Sequence, residues 1–334
     1  MKPLIKKLTE TISPSGHEEA IRKVIQAEIT DLADEVRVDA LGNLIARKGT
    51  LGKDGKRIMV AAHMDEIGVI VTHVDENGFI RFAPVGGVFP HTLIGSRVLF
   101  TNGTHGVIGA RYLVRPPKLI ALDKMFIDVG ATSPKDCPVK IGDVATFDRP
   151  FLDMGSCVVS KSMDDRIGVA ILIETMRQLK ATPNEIYFVF TTQEEVGVRG
   201  AATSAYGVDP DIGIAVDVTG AGDTPEMPLQ REVAFDAGPA IKFKDAGNIS
   251  DPRLTELLVK TAEKARIPYQ REVTTMGGTD ARAIQLTRSG VPTVTVSVPC
   301  RYVHSPSEMV SMNDVENTVK LLVTLLSKAV KLER

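Results

Sequence analysis

Four apolar runs in this sequence each lead directly into residues that could bind a metal or move a proton. Ile58-Met59-Val60-Ala61-Ala62 is followed by His63 and Asp65, and Ile186 to Phe190, after two threonines, by Gln193, Glu194 and Glu195. The run Ile212 to Val216 ends on Asp217, and Val291 to Val298 precedes His304. A fifth group, Met163-Asp164-Asp165-Arg166, stands immediately before a helical pattern. Histidines and carboxylates arriving from separate strands, with no cysteine among them, suit Zn²⁺, Co²⁺ or Mn²⁺. One ion would not use them all. Two ions about 3.5–4 Å apart with a shared carboxylate would, clamping a hydroxide and polarising a carbonyl while one acid is left over as general base.

Each piece alone has a plainer reading. A His-x-Asp after a strand can be an ordinary turn, Glu194-Glu195 a solvated loop, and Asp164-Asp165 a charged helix start that the macrodipole favours. Their joint arrival at the ends of independent buried runs is what points to a site, because open α/β sheets bind ligands beyond the carboxyl ends of their strands. His17, His73, His91 and His105 lie outside the pattern and read as surface or interface residues.

The elements that must position these residues are legible in outline. The four runs show no alternation, as expected for strands buried on both faces, and a pattern at Val169, Leu172, Ile173 and Met176 marks a helix between two of them. Strands alternating with helices imply an α/β fold with a mostly parallel central sheet flanked by helices. Ser15 and Glu18 read as a capping box ahead of a helix carrying Ile21, Val24, Ile25 and Ile29. Val36 to Ala46 reads as strand, turn, strand around Leu41-Gly42-Asn43, and Gly49 to Gly55 as a polar loop. A final helix is expected from an Asn313 cap, with Val315, Val319, Leu322, Leu326 and Val330 on one face. From about Gly68 to Gly155 the rhythm breaks into short β-rich runs, the turns Asn77-Gly78 and Asn102-Gly103, and prolines at 84, 90, 116, 117, 134, 138 and 150. That segment reads as an inserted small β-barrel or sandwich, dividing the chain into a catalytic α/β part at 1–67, an insertion at 68–155, and the remaining catalytic part at 156–334.

Composition removes several function classes. With 334 residues, 43% hydrophobic, the chain exceeds what one small module needs and favours two domains, or one domain with a large insertion. Forty Lys plus Arg against 42 Asp plus Glu give a net charge of −2, which argues against nucleic-acid or anionic-membrane partners. No apolar run approaches the roughly 18 residues of a membrane span. The first residues carry no apolar signal core, and Cys137, Cys157 and Cys300 are odd in number and far apart, so a cytoplasmic location is expected.

In order along the chain, AAHMDEIGVIV, SKSMDDRIGVA, TTQEEVGVRGA, AVDVT, GGTDARAI and VPCRYVHSP, with a long β-rich insertion between the first two, resemble the tetrahedral-aminopeptidase family. That family includes glutamyl and deblocking aminopeptidases among the co-catalytic two-zinc exopeptidases. The resemblance spans essentially the whole chain. It implies that His63 and Asp217 hold one metal, Glu195 and His304 the other, and Asp164 bridges them. Glu194 becomes the general base acting on a metal-bridged hydroxide, and Asp65 the carboxylate that orients the His63 imidazole. It also implies a cis peptide from Asp164 to Asp165, and places Gly277-Gly278-Thr279-Asp280 near the substrate pocket.

The expected activity is therefore a dimetal aminopeptidase acting on peptides with free N-termini, self-associating through the insertion as dimers that build a dodecamer. One alternative keeps the metals but hydrolyses N-acyl amino acids or small amides. A glycosidase using Glu194 and Glu195 is disfavoured, since neighbours on an extended chain point to opposite faces. A non-enzymatic scaffold leaves the ligand-type residues without a purpose.

Overall fold

The computed structural model describes residues 1–111, 119–225 and 233–332. Pro116 and Pro117, two of the prolines that mark the insertion, fall outside the described residues. At the centre, Glu185–Thr191, Arg57–His63, Ile212–Gly220 and Thr293–Arg301 lie side by side in that order, all parallel. Their side chains divide by parity. Met59, Ala61 and Val189 pack with Ala201, Ala205 and Ile284 from helices Arg199–Val208 and Asp280–Gln285. Val60, Ala62, Phe188 and Phe190 share the opposite core with helices Met163–Gln178 and Met312–Leu326. Both faces are dry, which is why the runs carry no polar alternation.

The sheet is mixed beyond these four strands. Leu44–Lys48 pairs antiparallel with Glu185–Thr191 and carries Glu35–Val38 at the outer edge. On the other side Glu308–Ser311, Cys157–Ser160 and Leu152–Asp153 follow in antiparallel succession. Ala240–Lys244 pairs antiparallel with Thr293–Arg301, and Gln270–Val273 runs parallel to it. The sheet thus has the expected parallel core, with antiparallel flanks on both sides.

Gly68–Val74, Ile80–Val85, Arg97–Phe100, His105–Ala110, Met125–Asp128 and Val144–Phe147 close into a six-stranded barrel. Alternate residues, among them Val69, Val71, Ile80, Phe82, Val98 and Phe100, fill its interior as a core of its own. Closure leaves no free strand edge. The chain leaves the barrel after Phe147 and is paired into the main sheet again at Leu152.

Three local expectations need correction. Ser15 is not a helix cap: the helix is Glu19–Ile29, Ser15 donates instead to Asp65, and it is the Ser13 hydroxyl that accepts the backbone N–H of Ile21. The last helix is capped by Ser311, which accepts from Asn313 N, two residues before the expected cap. That helix ends at Leu326, so Val330 is buried beyond it rather than on its face. A further helix, Lys2–Glu10, had no reading from sequence and packs Ile5 and Leu8 into the main core. Among the described residues the three cysteines are free and no helix is long and apolar enough to cross a membrane.

Candidate active site

His63 is the last residue of its strand, Asp217 lies within the next parallel strand, and the turn after Thr191 carries Glu194 and Glu195. Because these strands are parallel and in register, with Thr191 opposite His63, their polar continuations emerge at one end of the sheet. Asp164 reaches the same point from the start of its helix, across a cis peptide to Asp165. Two groups result. Ligand atoms of His63, Asp164 and Asp217 lie within 4.8 Å of one another, and so do those of Asp164, Glu195 and His304. Asp164 belongs to both: its Oδ1 is 2.9 Å from His63 Nε2 and its Oδ2 is 3.3 Å from His304 Nε2. These side chains are able to hold a metal ion.

The electrostatics of the groups fit divalent cations. Burial, and then the nearby Asp164 carboxylate, push Glu195 up to about 8 and Asp217 up to about 7. Burial opposes charge on the histidines, yet hydrogen bonds to carboxylates win: His304 rises to about 10 and His63 well above its usual range. Asp164, despite burial, is held well below the carboxylate range by His304 and His63. Glu194 is raised well above its ordinary value by burial, with Asp217 and Asp280 adding to the rise and His63 opposing it. Glu195 Oε1 is buried without a hydrogen-bond partner. Converging carboxylates with a free buried oxygen and imidazoles aimed at them are the donor set that a pair of divalent ions satisfies.

Asp65 contacts more than the His63 ring. Its Oδ1 is 3.3 Å from His63 Nδ1, and its two oxygens also accept the backbone N–H groups of Glu194 and Glu195 at 3.0 and 3.2 Å. One buried carboxylate thus holds the turn bearing the two glutamates and lies beside the His63 ring. Three further carboxylates support the site, of which Asp165 and Asp280 were named from sequence without contacts and Glu308 was not named. Asp165 accepts His63 N at 3.2 Å and Gly168 N at 3.1 Å, and a Cβ on Gly168 would stand 2.4 Å from that carboxylate. Glu308 accepts His304 N at 2.7 Å and Asp164 N at 3.0 Å, joining two ligand-bearing segments. Asp280, from the Gly277-Gly278-Thr279-Asp280 segment, accepts the Thr191 hydroxyl at 2.6 Å. Glu308 had no spacing signal, since its donors are N–H groups of the folded backbone and not a run of ligand-type residues.

The site opens into a cavity of about 1020 Å³ whose lining includes Asp164, Glu194, Glu195, Asp217 and His304. Glu194 and Glu195 therefore face one space. They sit in a bend and not on an extended strand, so the argument that neighbours must point to opposite faces does not apply to them. The barrel supplies part of the wall: Phe89 lies 5.9 Å from the His304 ring and stacks on His91 at 5.7 Å. His91 is thus closer to the site than its isolation in the sequence suggests. His17, His73 and His105 are exposed away from it.

With this geometry in hand, comparison with known proteins gives a consistent result. The pattern of the M42 glutamyl aminopeptidase family matches residues 42–321. A protein of Acetivibrio thermocellus, provisionally called an aminopeptidase, is 51% identical over 326 residues, covering 97% of each chain. Among solved structures, an aminopeptidase from the archaeon Desulfurococcus kamchatkensis superposes with a TM-score of 0.94 at 39% identity, covering 97% of this chain and 94% of its own. The TET1 peptidase of Pyrococcus horikoshii, described as assembling into a tetrahedron or a large octahedral shell, gives 0.88 at 37% identity over 97% and 98%. The chain belongs to the M42 glutamyl aminopeptidase family. It is an aminopeptidase, a hydrolase that releases N-terminal residues from peptides.

Proposed function

We propose that His63 and Asp217 hold one divalent ion, Glu195 and His304 a second, and that Asp164 is shared between them, with Glu194 as general base. The observation that carries this reading is the single Asp164 carboxylate, which meets a histidine of each ligand group through a different oxygen. The ions, zinc or cobalt with manganese also compatible, would when bound polarise the scissile carbonyl and acidify the attacking water. Glu194 takes a proton from that water and returns it to the leaving amine. Asp65 keeps this base in place through the Glu194 N–H and holds the His63 ring. The substrate's α-ammonium is matched by the surplus of carboxylates in the cavity, which restricts cleavage to free N-termini.

Residues 1–67 and 156–334 form the catalytic part in this reading, and 68–155 the unit for self-association. Exposed apolar side chains on the insertion, Phe89, Ile94, Val107 and Ile141, support contact between copies, as does the shell-forming relative. A homo-oligomer built from dimers, reaching a dodecamer, follows, and the free cysteines support a cytoplasmic setting. The test combines metal analysis of purified protein with hydrolysis of aminoacyl amides, their N-acetylated forms and soluble cellulose. Two ions per chain and cleavage of free-amine substrates alone are expected. Full activity in metal-free protein, or preference for acylated substrates, would overturn the reading.

A further inference from the structure

On the Asp217 side of the same cavity the wall also carries a buried pair of opposite charges, Lys242 on strand Ala240–Lys244 and Glu272 on strand Gln270–Val273. Both side chains are almost wholly withdrawn from solvent, 7% and 6% exposed. Their charged ends are 3.7 Å apart, an ion pair too long to be a hydrogen bond. Glu272 Oε1 accepts the Thr219 hydroxyl, but its Oε2 is buried with no hydrogen-bond partner. Lys242 likewise has no hydrogen-bond acceptor among the described residues, leaving the donors of its ammonium group open. A cation lacking acceptors thus stands beside an anion lacking a donor in the wall of a substrate cavity.

Each class of substrate side chain meets this pair differently. A carboxylate satisfies Lys242 and is repelled by Glu272; an ammonium group satisfies Glu272 and is repelled by Lys242. Repulsion of the cation is reinforced by Arg271, which also lines the cavity. An aliphatic side chain excludes water and leaves both groups unpaired, the costly outcome for buried polar atoms. A carboxamide carries an acceptor and a donor on one planar group and no net charge, so it can serve both at once.

We propose that Lys242 and Glu272 select glutamine or asparagine as the first residue of the peptide. The proposal rests on the aminopeptidase reading of this cavity and adds its side-chain preference. A site built to hydrogen-bond a particular group discriminates against substrates that leave its polar atoms unpaired.

The experiment measures kcat/KM for metal-loaded enzyme on fluorogenic amides of Gln, Asn, Glu, Lys and Leu. The ratios within each variant are compared, so that partial metal loading cancels. Wild type should favour Gln or Asn over Glu, Lys and Leu by roughly 10-fold or more. Glu272→Gln should move the Glu/Gln ratio up by about the same factor, and Lys242→Met should move the Lys/Gln ratio up instead. The two shifts fall on different ratios, so either variant tests the pair if the other fails to fold. Preference of wild type for a charged or aliphatic residue, or ratios unchanged in the folded variants, overturns the proposal while leaving the aminopeptidase reading standing. Failure of the metal-loaded enzyme to cleave any of the amides overturns both.

Discussion

Asp65 and Glu66 are neighbours in sequence, yet they enter two buried charged clusters of opposite design. Glu66 has both oxygens occupied: Ser13 N at 2.8 Å, the Thr146 hydroxyl at 2.7 Å, Lys161 Nζ at 2.6 Å, the Ser162 hydroxyl, and Arg166 at 3.5 Å. Two cations and three neutral donors surround one anion, and the cluster ties the N-terminal segment, the barrel and the start of helix Met163–Gln178 together. On the Asp65 side the balance is reversed, with Asp164, Glu195 and Asp217 gathered around two histidines and a Glu195 oxygen left open. A complete set of partners marks a cluster that holds the fold. A surplus of acid with open oxygens marks one that waits for a cation.

The largest effect expected from this contrast is at Asp164. Asp164→Ala removes the only carboxylate common to both ligand groups and should cost both ions and all measurable activity, whereas His304→Ala should weaken chiefly the ion shared with Glu195. Metal stoichiometry by elemental analysis separates them, and equal metal content in the two variants would break the assignment. Next come the adjacent glutamates. Glu194→Gln keeps size but cannot take the proton, so kcat should fall by about 10²–10⁴ with metal content near wild type. Glu195→Gln should lose metal and be partly rescued by excess Zn²⁺ or Co²⁺. The reverse pattern would exchange their roles.

On the structural side, Glu66→Gln leaves Lys161 and Arg166 buried without their counter-charge and should destabilise the fold by about 3–5 kcal/mol, read by denaturant unfolding. Burial works against the Glu66 charge, but Lys161 and Arg166 outweigh it and hold its carboxyl below the usual value. A depressed folded value means that this contribution is fully present above the unfolded value of about 4.3 and is lost as pH falls through the folded one. The difference in stability between wild type and Glu66→Gln should therefore shrink on acidification below about pH 4. A difference that grows there would sink the account. The smallest effect is expected at Gly87, where an added Cβ would come within 2.4 Å of His304 Nδ1. Gly87→Ala should push the ring aside and weaken the Glu195–His304 ion while leaving thermal stability within about 1 kcal/mol of wild type. Unchanged affinity for both ions would show that the barrel wall does not support that histidine.

Much of this contrast was legible in the chain itself. The apolar runs gave the central strands because a strand buried on both faces can afford no polar alternation, and the ligand-type residues followed each run directly. The second cluster was not legible. Glu66 sits in the same short segment as His63 and Asp65, and only the packing of Ser13, Thr146 and Lys161 around it, from 53 to 95 positions away, makes it structural. Glu308 was missed, and Asp165 and Asp280 were named without contacts, for the same reason. Their work is to accept backbone N–H or hydroxyl protons whose positions exist only after folding. Left-handed backbone at Ser162, Gln193 and His304, which aims the residues around the site, also had no glycine to announce it.

The sequence by itself determined which residues could be ligands and at which end of the sheet they would gather, since parallel strands share a direction and their carboxyl ends share a place. It also determined that a β-rich segment interrupts the α/β pattern, because turn chemistry and prolines are local. Tertiary structure alone decided that this segment closes as a barrel and presents Phe89 and Gly87 to His304, that Glu194 and Glu195 face one cavity, and that Asp164 spans both histidines. Those outcomes depend on distances between segments far apart in the chain, and such distances are set by packing, which no local pattern encodes.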